Sequence, residues 1–318
     1  MKAVVLGGTG FLGRHIHAAF QDAGARVVPV SRSDATHTDL TKDSGLRSLA
    51  ELLGRIRPHA VVNAAGRAWQ ADERQMAEGN AELVDRLIGV LAAQHHRPRL
   101  IHLGSVHEYG PGHAGTSTAE EYPAAPTTPY GRTKLLGTRS VLRAVATGEA
   151  DGVVLRLANV SGPGTPRGSL LRQVADHLVE AARAQDRGET PAALRFRTLA
   201  VRRDFVDARD VADAVLAAAA APLSSVNGQI VNIGRGEAVR MRHLVARMVA
   251  LSGLPVEVVE DADGRSLRED AQWQRLDVSK ARRLLGWHPH RDLDRSLRDL
   301  LDTACVPVRG EEREEAQT

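Results

Sequence analysis

The chain opens on a short apolar run, Lys2 to Leu6, breaks into Gly7-Gly8-Thr9-Gly10-Phe11-Leu12-Gly13, and continues as an amphipathic stretch to about Ala23. A β-branched run, a glycine cluster and a 3.6-residue period predict strand, turn and helix in that order. The unit then recurs. Arg26 to Val30 predicts a strand, Ser44 to Ile56 a helix, Ala60 to Asn63 a strand, Glu73 to Gln94 a helix and Leu100 to Leu103 a strand. A helix over Tyr130 to Thr147 and a strand over Val153 to Leu157 extend the series. Alternating strands and helices bury their apolar faces as a parallel sheet with helices on both sides, so the expected fold class is α/β, a doubly wound parallel sheet.

Beyond Asn159 the pattern loosens into Gly162-Pro163-Gly164, a helix near Leu170 to Gln185, an arginine-rich segment and short strands such as Gln229 to Asn232. The expectation is a dinucleotide-binding (Rossmann) domain over 1–160, with segments near 205–233 returning to its sheet. A smaller C-terminal substrate-binding lobe is expected over 161–305. The last residues, 306–318, are polar and lack an apolar period, which reads as a disordered tail. No period of 20 to 50 residues repeats, so solenoids and propellers are not expected.

Composition narrows the partners. Hydrophobic residues at 42% and charged residues at 25% are ordinary globular values, while aromatics at 3% leave the packing to small aliphatics. The net charge of +3 does not form a basic face, because acids and bases interleave, as from Asp204 to Asp213. Nucleic acid is therefore not an expected partner, whereas small anions, nucleotides among them, remain open. With Cys305 as the single cysteine, neither an intramolecular disulfide nor a cysteine metal site is expected, which fits a reducing cytoplasm. The opening apolar run is too short for a secretory signal, and no stretch approaches the roughly 18 apolar residues of a membrane span. The expected location is cytoplasmic, without membrane or metal partners.

Gly7, Gly10 and Gly13 allow a tight turn, close approach of a pyrophosphate, and packing of helix on sheet, with the helix N-terminus facing phosphate. Thr9, Phe11 and Leu12 share that turn and join it as expected cofactor-binding residues. The bland alternative is a plain strand-to-helix turn. The second strand ends in Val30-Ser31-Arg32-Ser33 instead of an acid. With no carboxylate to repel a 2′-phosphate and a guanidinium able to fork onto it, NADP(H) is favoured and NAD(H) stays possible. Arg32 has a second reading as a solvated arginine. Asp39, beside Leu40, is read either as an acceptor for an adenine amino group or as an ordinary loop acid. Ala64, Ala65 and Gly66 follow a strand and are small enough for a cofactor to approach the backbone. Asn80 is read equally as a bridging and as a surface residue.

Tyr130 and Lys134 stand four residues apart and so share a helix face. A cation beside a phenol stabilises the phenolate, so a phenol lowered below about 10 is expected. Ser105, just after a strand, is placed to hydrogen-bond a carbonyl or alkoxide oxygen. The chain has three tyrosines, and this one follows Pro129 at a helix start.

Taken in order, the glycine turn, Gly104-Ser105-Val106-His107-Glu108-Tyr109-Gly110, Tyr130 to Lys134, Arg156-Leu157-Ala158-Asn159-Val160, Arg203-Asp204-Phe205 and Leu285-Gly286-Trp287-His288-Pro289 resemble one family. It is the extended short-chain dehydrogenases/reductases, the NAD-dependent epimerase/dehydratase family. The resemblance spans about residues 1 to 300. It implies that Ser105 hydrogen-bonds the carbonyl, Tyr130 is the acid/base, and Lys134 binds ribose and tunes the phenol. Asn159 is implied to contact substrate, and Arg203 to pair with the diphosphate of a nucleoside-diphosphate sugar or, alternatively, with Asp204 or Asp207.

Family dehydratases carry an Asp-Glu pair after the serine or threonine, where this chain has Val106-His107, with Glu108 one residue on. Elimination is therefore disfavoured. His107 is read as a substrate-orienting or a packed histidine. The wording of Asn63 to Trp69, His102 to Gly110 and Thr128 to Gly137 is most similar to 4-ketoreductases of NDP-4-keto-6-deoxyhexoses, as used in antibiotic decoration. The expected reaction is NADPH-dependent reduction of the 4-keto group, with an NDP-sugar 4-epimerase and a non-catalytic NADP-sensing protein as alternatives. A homodimer is possible.

Overall fold

In the computed structural model, Lys2–Leu6 forms β1, with Ala3, Val4, Val5 and Leu6 wholly buried. The structure describes residues 1–32, 38–68, 71–260 and 273–305. A strand apolar on both faces belongs at the middle of a sheet covered on both sides. Accordingly β1 lies between β2 (Arg26–Val30) and β3 (Ala60–Asn63), parallel to both. β4 (Arg99–Ser105) and β5 (Gly152–Leu157) continue the sheet beyond β3.

The connections are helical: α1 (Phe11–Asp22), α2 (Asp43–Ile56), α3 (Glu73–Ala77), α4 (Leu83–Ala92) and α5 (Pro129–Ala146). The single helix expected over Glu73 to Gln94 is a correction. Asp72 caps α3, a π-helical turn over Glu78–Glu82 interrupts the helix at Gly79-Asn80, and α4 ends at Ala92. Ser105, expected just after the strand over Leu100 to Leu103, is the last residue of β4.

The rest of the chain forms β6 (Asn159–Ser161), α6 (Leu170–Asp186), β7 (Leu194–Phe196), β8 (Arg202–Arg203), β9 (Phe205–Asp207) and α7 (Ala208–Ala220). Then come α8 (Leu223–Val226), β10 (Ile230–Ile233), β11 (Val239–Arg240), α9 (Met241–Ser252), β12 (Val258–Glu260), α10 (Ser279–Leu285) and α11 (Leu293–Thr303). β10 pairs parallel with β5, giving the six-stranded order β2-β1-β3-β4-β5-β10. β6 pairs with β9, Asn159 opposite Phe205.

Two apolar layers cover the sheet. Ile16, Phe20, Val211, Val215 and Trp287 pack on one face, and Leu49, Leu53, Val84, Leu87 and Val141 on the other. A third cluster, including Leu178, Leu244, Met248 and Leu297, joins α6, α9 and α11. From β1 the order runs to β2 on one side and to β3 and β4 on the other. The crevice beyond the carboxyl ends of β1 and β3 is where such sheets take ligands. Ser33 and His37 of the expected cofactor segment, Trp69, and the tail 306–318 lie outside the described residues.

Candidate active site

The turn after β1 needs its glycines. Gly7 has φ +73°, and a Cβ there would stand 2.9 Å from the Ala64 oxygen and the Ala65 nitrogen. A Cβ on Gly13 would stand 2.0 Å from the Gly7 oxygen, so α1 could not seat on the turn. Two cavities of about 250 and 300 Å³ flank this turn and share Gly10, Ala64, Ala65, Gly66 and Arg67, so they form one trough across the sheet edge. The first also takes in Gly7, Thr9, Ser31, Arg32, Asp39 and Leu40. The second takes in Phe11, Leu12, Leu103, Gly104, Tyr130 and Lys134.

At the first end the Thr9 hydroxyl donates to Ser31 Oγ at 2.9 Å, fixing the lip of β2. Asp39 stands just before the turn into α2, its backbone oxygen accepting the Lys42 amide at 3.1 Å. Its carboxylate accepts from the Thr41 hydroxyl at 2.7 Å and the Thr41 amide at 3.1 Å, and these bonds hold its acid below the usual range, with Arg32 adding to the effect. The trough fits an extended dinucleotide: a glycine cradle that any Cβ would fill, small residues on its floor, and charged groups at one end.

Sequence reasoning left Asn80 open. It is buried in the π-helical turn, accepting from the Arg67 amide at 2.8 Å and donating to the Arg67 oxygen at 2.8 Å and to Thr133 Oγ1 at 3.1 Å. Asn80 thus ties the loop after β3 to α5. Arg67, Thr133, Leu103 and Gly104 were not singled out from sequence, because nothing in their local pattern marks a residue that only the folded trough brings in.

At the second end Ser105, Tyr130 and Lys134 converge. Thr128 caps α5, accepting from Gly131 at 3.1 Å, and Pro129 opens it, so Tyr130 sits in the first turn facing the end of β4. The phenol hydrogen-bonds the Ser105 side chain, while burial pushes it up to about 12, the bond to Ser105 opposing and the charge of Glu108 adding. This corrects the expectation of a lowered phenol. Lys134 Nζ donates to the Leu103 oxygen at 2.5 Å, and burial lowers its ammonium to about 8. Desolvation is thus the largest influence on both groups.

Glu108 is wholly buried. Its Oε1 accepts the Ser105 amide at 2.7 Å and its Oε2 accepts Arg156 Nε at 2.8 Å. Both oxygens are held within the protein, which leaves the carboxylate poorly placed for elimination chemistry. The His107 ring meets the Tyr130 ring edge-on at 5.7 Å, hydrogen-bonds the Asn159 side chain and lies near Arg203. Burial first, and then the Arg203 charge, lower His107 to about 4, so it is neutral at pH 7. Asn159 is steadied by donating to the Asp204 oxygen at 3.0 Å and to Gln274 Oε1 at 3.1 Å. The Asp204 carboxylate accepts three backbone amides, from Arg235, Gly236 and Leu276, and Asp207 pairs with Arg209. His107, Asn159 and Arg203 thus gather beside Tyr130. Together the groups offer a neutral phenol, a hydroxyl and a cation at one end of a dinucleotide-sized trough, an arrangement able to move a proton at a carbonyl oxygen.

Among the described residues, no helix is long and apolar enough to cross a membrane, and no cluster of three or more metal-ligating side chains occurs.

The chain is 43% identical over 307 residues to a dTDP-6-deoxy-L-talose 4-dehydrogenase (NAD(P)(+)) of Kitasatospora kifunensis, covering 94% of each protein. Its fold superposes on a Thermus thermophilus UDP-glucose 4-epimerase in complex with NAD at a TM-score of 0.80 and 22% identity, covering 97% of this chain and 100% of the other. It also superposes on RMD from Pseudomonas aeruginosa complexed with NADPH at a TM-score of 0.78 and 22% identity, covering 95% and 98%. The profile of the NAD dependent epimerase/dehydratase family matches residues 3–234. The chain accordingly belongs to that NAD(P)-dependent family, the extended short-chain dehydrogenases/reductases.

Proposed function

We propose that the protein interconverts the 4-keto and 4-hydroxyl groups of a nucleoside-diphosphate 6-deoxyhexose, working as an NADPH-dependent 4-ketoreductase. One observation carries this reading: Tyr130 is held as a neutral phenol against Ser105 while the adjacent carboxylate, Glu108, is spent on Arg156 and a backbone amide. A phenol kept protonated at pH 7 is suited to give a proton to a developing alkoxide. The name of the 43% identical relative, a 4-dehydrogenase of a dTDP-6-deoxyhexose, describes the same change of bonds in the opposite direction.

In this reading residues 1–160 bind the dinucleotide and 161–305 bind mainly the sugar nucleotide. Bound nicotinamide supplies the hydride. Ser105 holds the 4-oxygen, Tyr130 gives it a proton, and Lys134 grips ribose. Thr9, Ser31 and Arg32 receive the adenosine phosphate, which favours NADP(H) over NAD(H). His107 and Asn159 orient the sugar, and Arg203 forks onto its diphosphate. The test is to incubate the protein with dTDP-4-keto-6-deoxyglucose and follow NADPH and NADH oxidation. Stoichiometric oxidation with a new 4-hydroxyl sugar is expected. Interconversion of sugars without net oxidation would make the protein an epimerase instead.

A further inference from the structure

Asn159 fixes the polarity of a row of side chains that starts at Tyr130. Its Nδ2 faces the Asp204 backbone oxygen at 3.0 Å, and a carbonyl can only accept, so that atom is a donor. The Gln274 atom 3.1 Å from the same Nδ2 must then be the acceptor, Oε1. With both Nδ2 hydrogens given away, His107 meets the oxygen of the Asn159 side chain. The row therefore runs Tyr130, His107, Asn159, Gln274, and it ends on the Gln274 NH₂, which has two hydrogens to give.

Gln274 is only 7% exposed, and its Nε2 makes no hydrogen bond among the described residues. An enclosed amide with an unmet donor is costly, and it asks for an acceptor. Turning the amide over gives no relief, since Nε2 would then face the donor Nδ2 of Asn159. The backbone holds the residue in place as well. The Gln274 amide donates to the Arg202 oxygen at 3.1 Å, and Arg203 Nη1 donates to that same oxygen at 3.1 Å. Gln274 is thus tied at its side chain to Asn159, on the side of the phenol, and at its backbone to the carbonyl that anchors Arg203.

Resting on the proposed reading, in which Tyr130 serves carbon 4 of the sugar and Arg203 the diphosphate on carbon 1, we infer that Gln274 is a specificity-determining residue. Its NH₂ donates to the hydroxyl edge at carbons 2 and 3, the positions that lie between those two points on the ring. The substrate class is then a 4-keto-6-deoxyhexose that keeps those hydroxyls, and a sugar deoxygenated there leaves the buried amide unmet.

The test compares wild type and Gln274→Met on dTDP-4-keto-6-deoxyglucose and on its 2,3-dideoxy analogue, by initial rates of NADPH oxidation. Wild type is expected to favour the hydroxylated sugar roughly 10- to 100-fold in kcat/KM. Gln274→Met is expected to lose roughly 3- to 10-fold on that sugar, carried by KM, and nothing on the analogue, with NADPH affinity by calorimetry unchanged. Gln274→Asn, which withdraws the amide by one methylene, should show the same selective loss. Equal losses on both sugars would mean that Gln274 only props Asn159, and would overturn the inference. Unchanged rates on both would overturn it too, as would a wild type that does not distinguish the two sugars, a result that needs no variant. A wild type that reduces neither sugar with NADPH or NADH would sink the 4-ketoreductase reading itself, an outcome distinct from the others.

Discussion

Replacing Glu108 separates a structural carboxylate from a reacting one. The Arg156–Glu108 pair is 2.8 Å long, with side chains 4% and 0% exposed. Its other oxygen takes the Ser105 amide, and the Arg156 guanidinium stacks 4.4 Å above the Tyr109 ring. Glu108→Ala leaves a buried guanidinium without its counter-charge, which costs about 3–5 kcal/mol. It also orphans a buried amide, about 1–3 kcal/mol that overlaps the first figure. A combined loss of about 4 kcal/mol, at ~2–4 °C per kcal/mol for large domains, lowers Tm by ~8–16 °C. Glu108→Gln keeps an acceptor for Ser105 and should lose roughly half as much, while Glu108→Ala/Arg156→Met, which removes both charges, should recover most of the stability. Urea unfolding followed by circular dichroism gives the free energies, and turnover is measured alongside. Glu108→Ala within about 1 kcal/mol of wild type would refute the argument. A Glu108→Gln protein of native stability and no turnover would make Glu108 a reacting group.

Tyr130→Phe should lower kcat by roughly 10²- to 10⁴-fold while leaving NADPH affinity within a few-fold, as steady-state kinetics and calorimetry can check. Lys134 illustrates a cost of function. Its ammonium is lowered from 10.5 to about 8 in the folded chain, so the unfolded chain binds more protons between those values and stability rises with pH across that window. Lys134→Met should abolish that rise, stabilise the protein below pH 8 by about 1–4 kcal/mol, and lose activity, as unfolding at pH 7 and pH 10 will show. His107 is lowered from 6.5 to about 4, so it contributes stability that is fully present above pH 6.5 and lost as pH falls toward 4. His107→Asn should flatten part of that decline in melting temperature, and an unchanged slope would mean that the folded histidine titrates normally.

The sheet was legible because each strand carries its own signal. β1 to β5 appear as apolar runs, and the glycines after β1 as a turn no other residue could make. Ser105, Tyr130 and Lys134 were legible too, since a helix start and a strand end fix their approach locally. What the pattern hid lies in tertiary contacts. Gly79-Asn80 reads as a weak spot in a long helix, and its π-helical turn makes sense only with the Arg67 backbone and Thr133 beside it. The phenol of Tyr130 was misjudged because spacing brings Lys134 near it but says nothing of burial, which pushes the phenol up. Glu108 was one residue from the expected acid/base positions, and only the buried Arg156 on the neighbouring strand reveals where it is spent. Asn159 and Arg203 reach His107 from chain segments joined where β6 pairs with β9, 46 residues apart between Asn159 and its partner Phe205, a distance no local period spans.

The most direct measurement is net cofactor consumption with identification of the sugar formed. Purified protein, NADPH and dTDP-4-keto-6-deoxyglucose should give one equivalent of NADP⁺ per equivalent of a sugar bearing a new hydroxyl at carbon 4, identified by NMR, and Tyr130→Phe should suppress both together. A 4-keto sugar recovered unreduced with NADPH intact, or sugars interconverted with no cofactor consumed, would contradict the account.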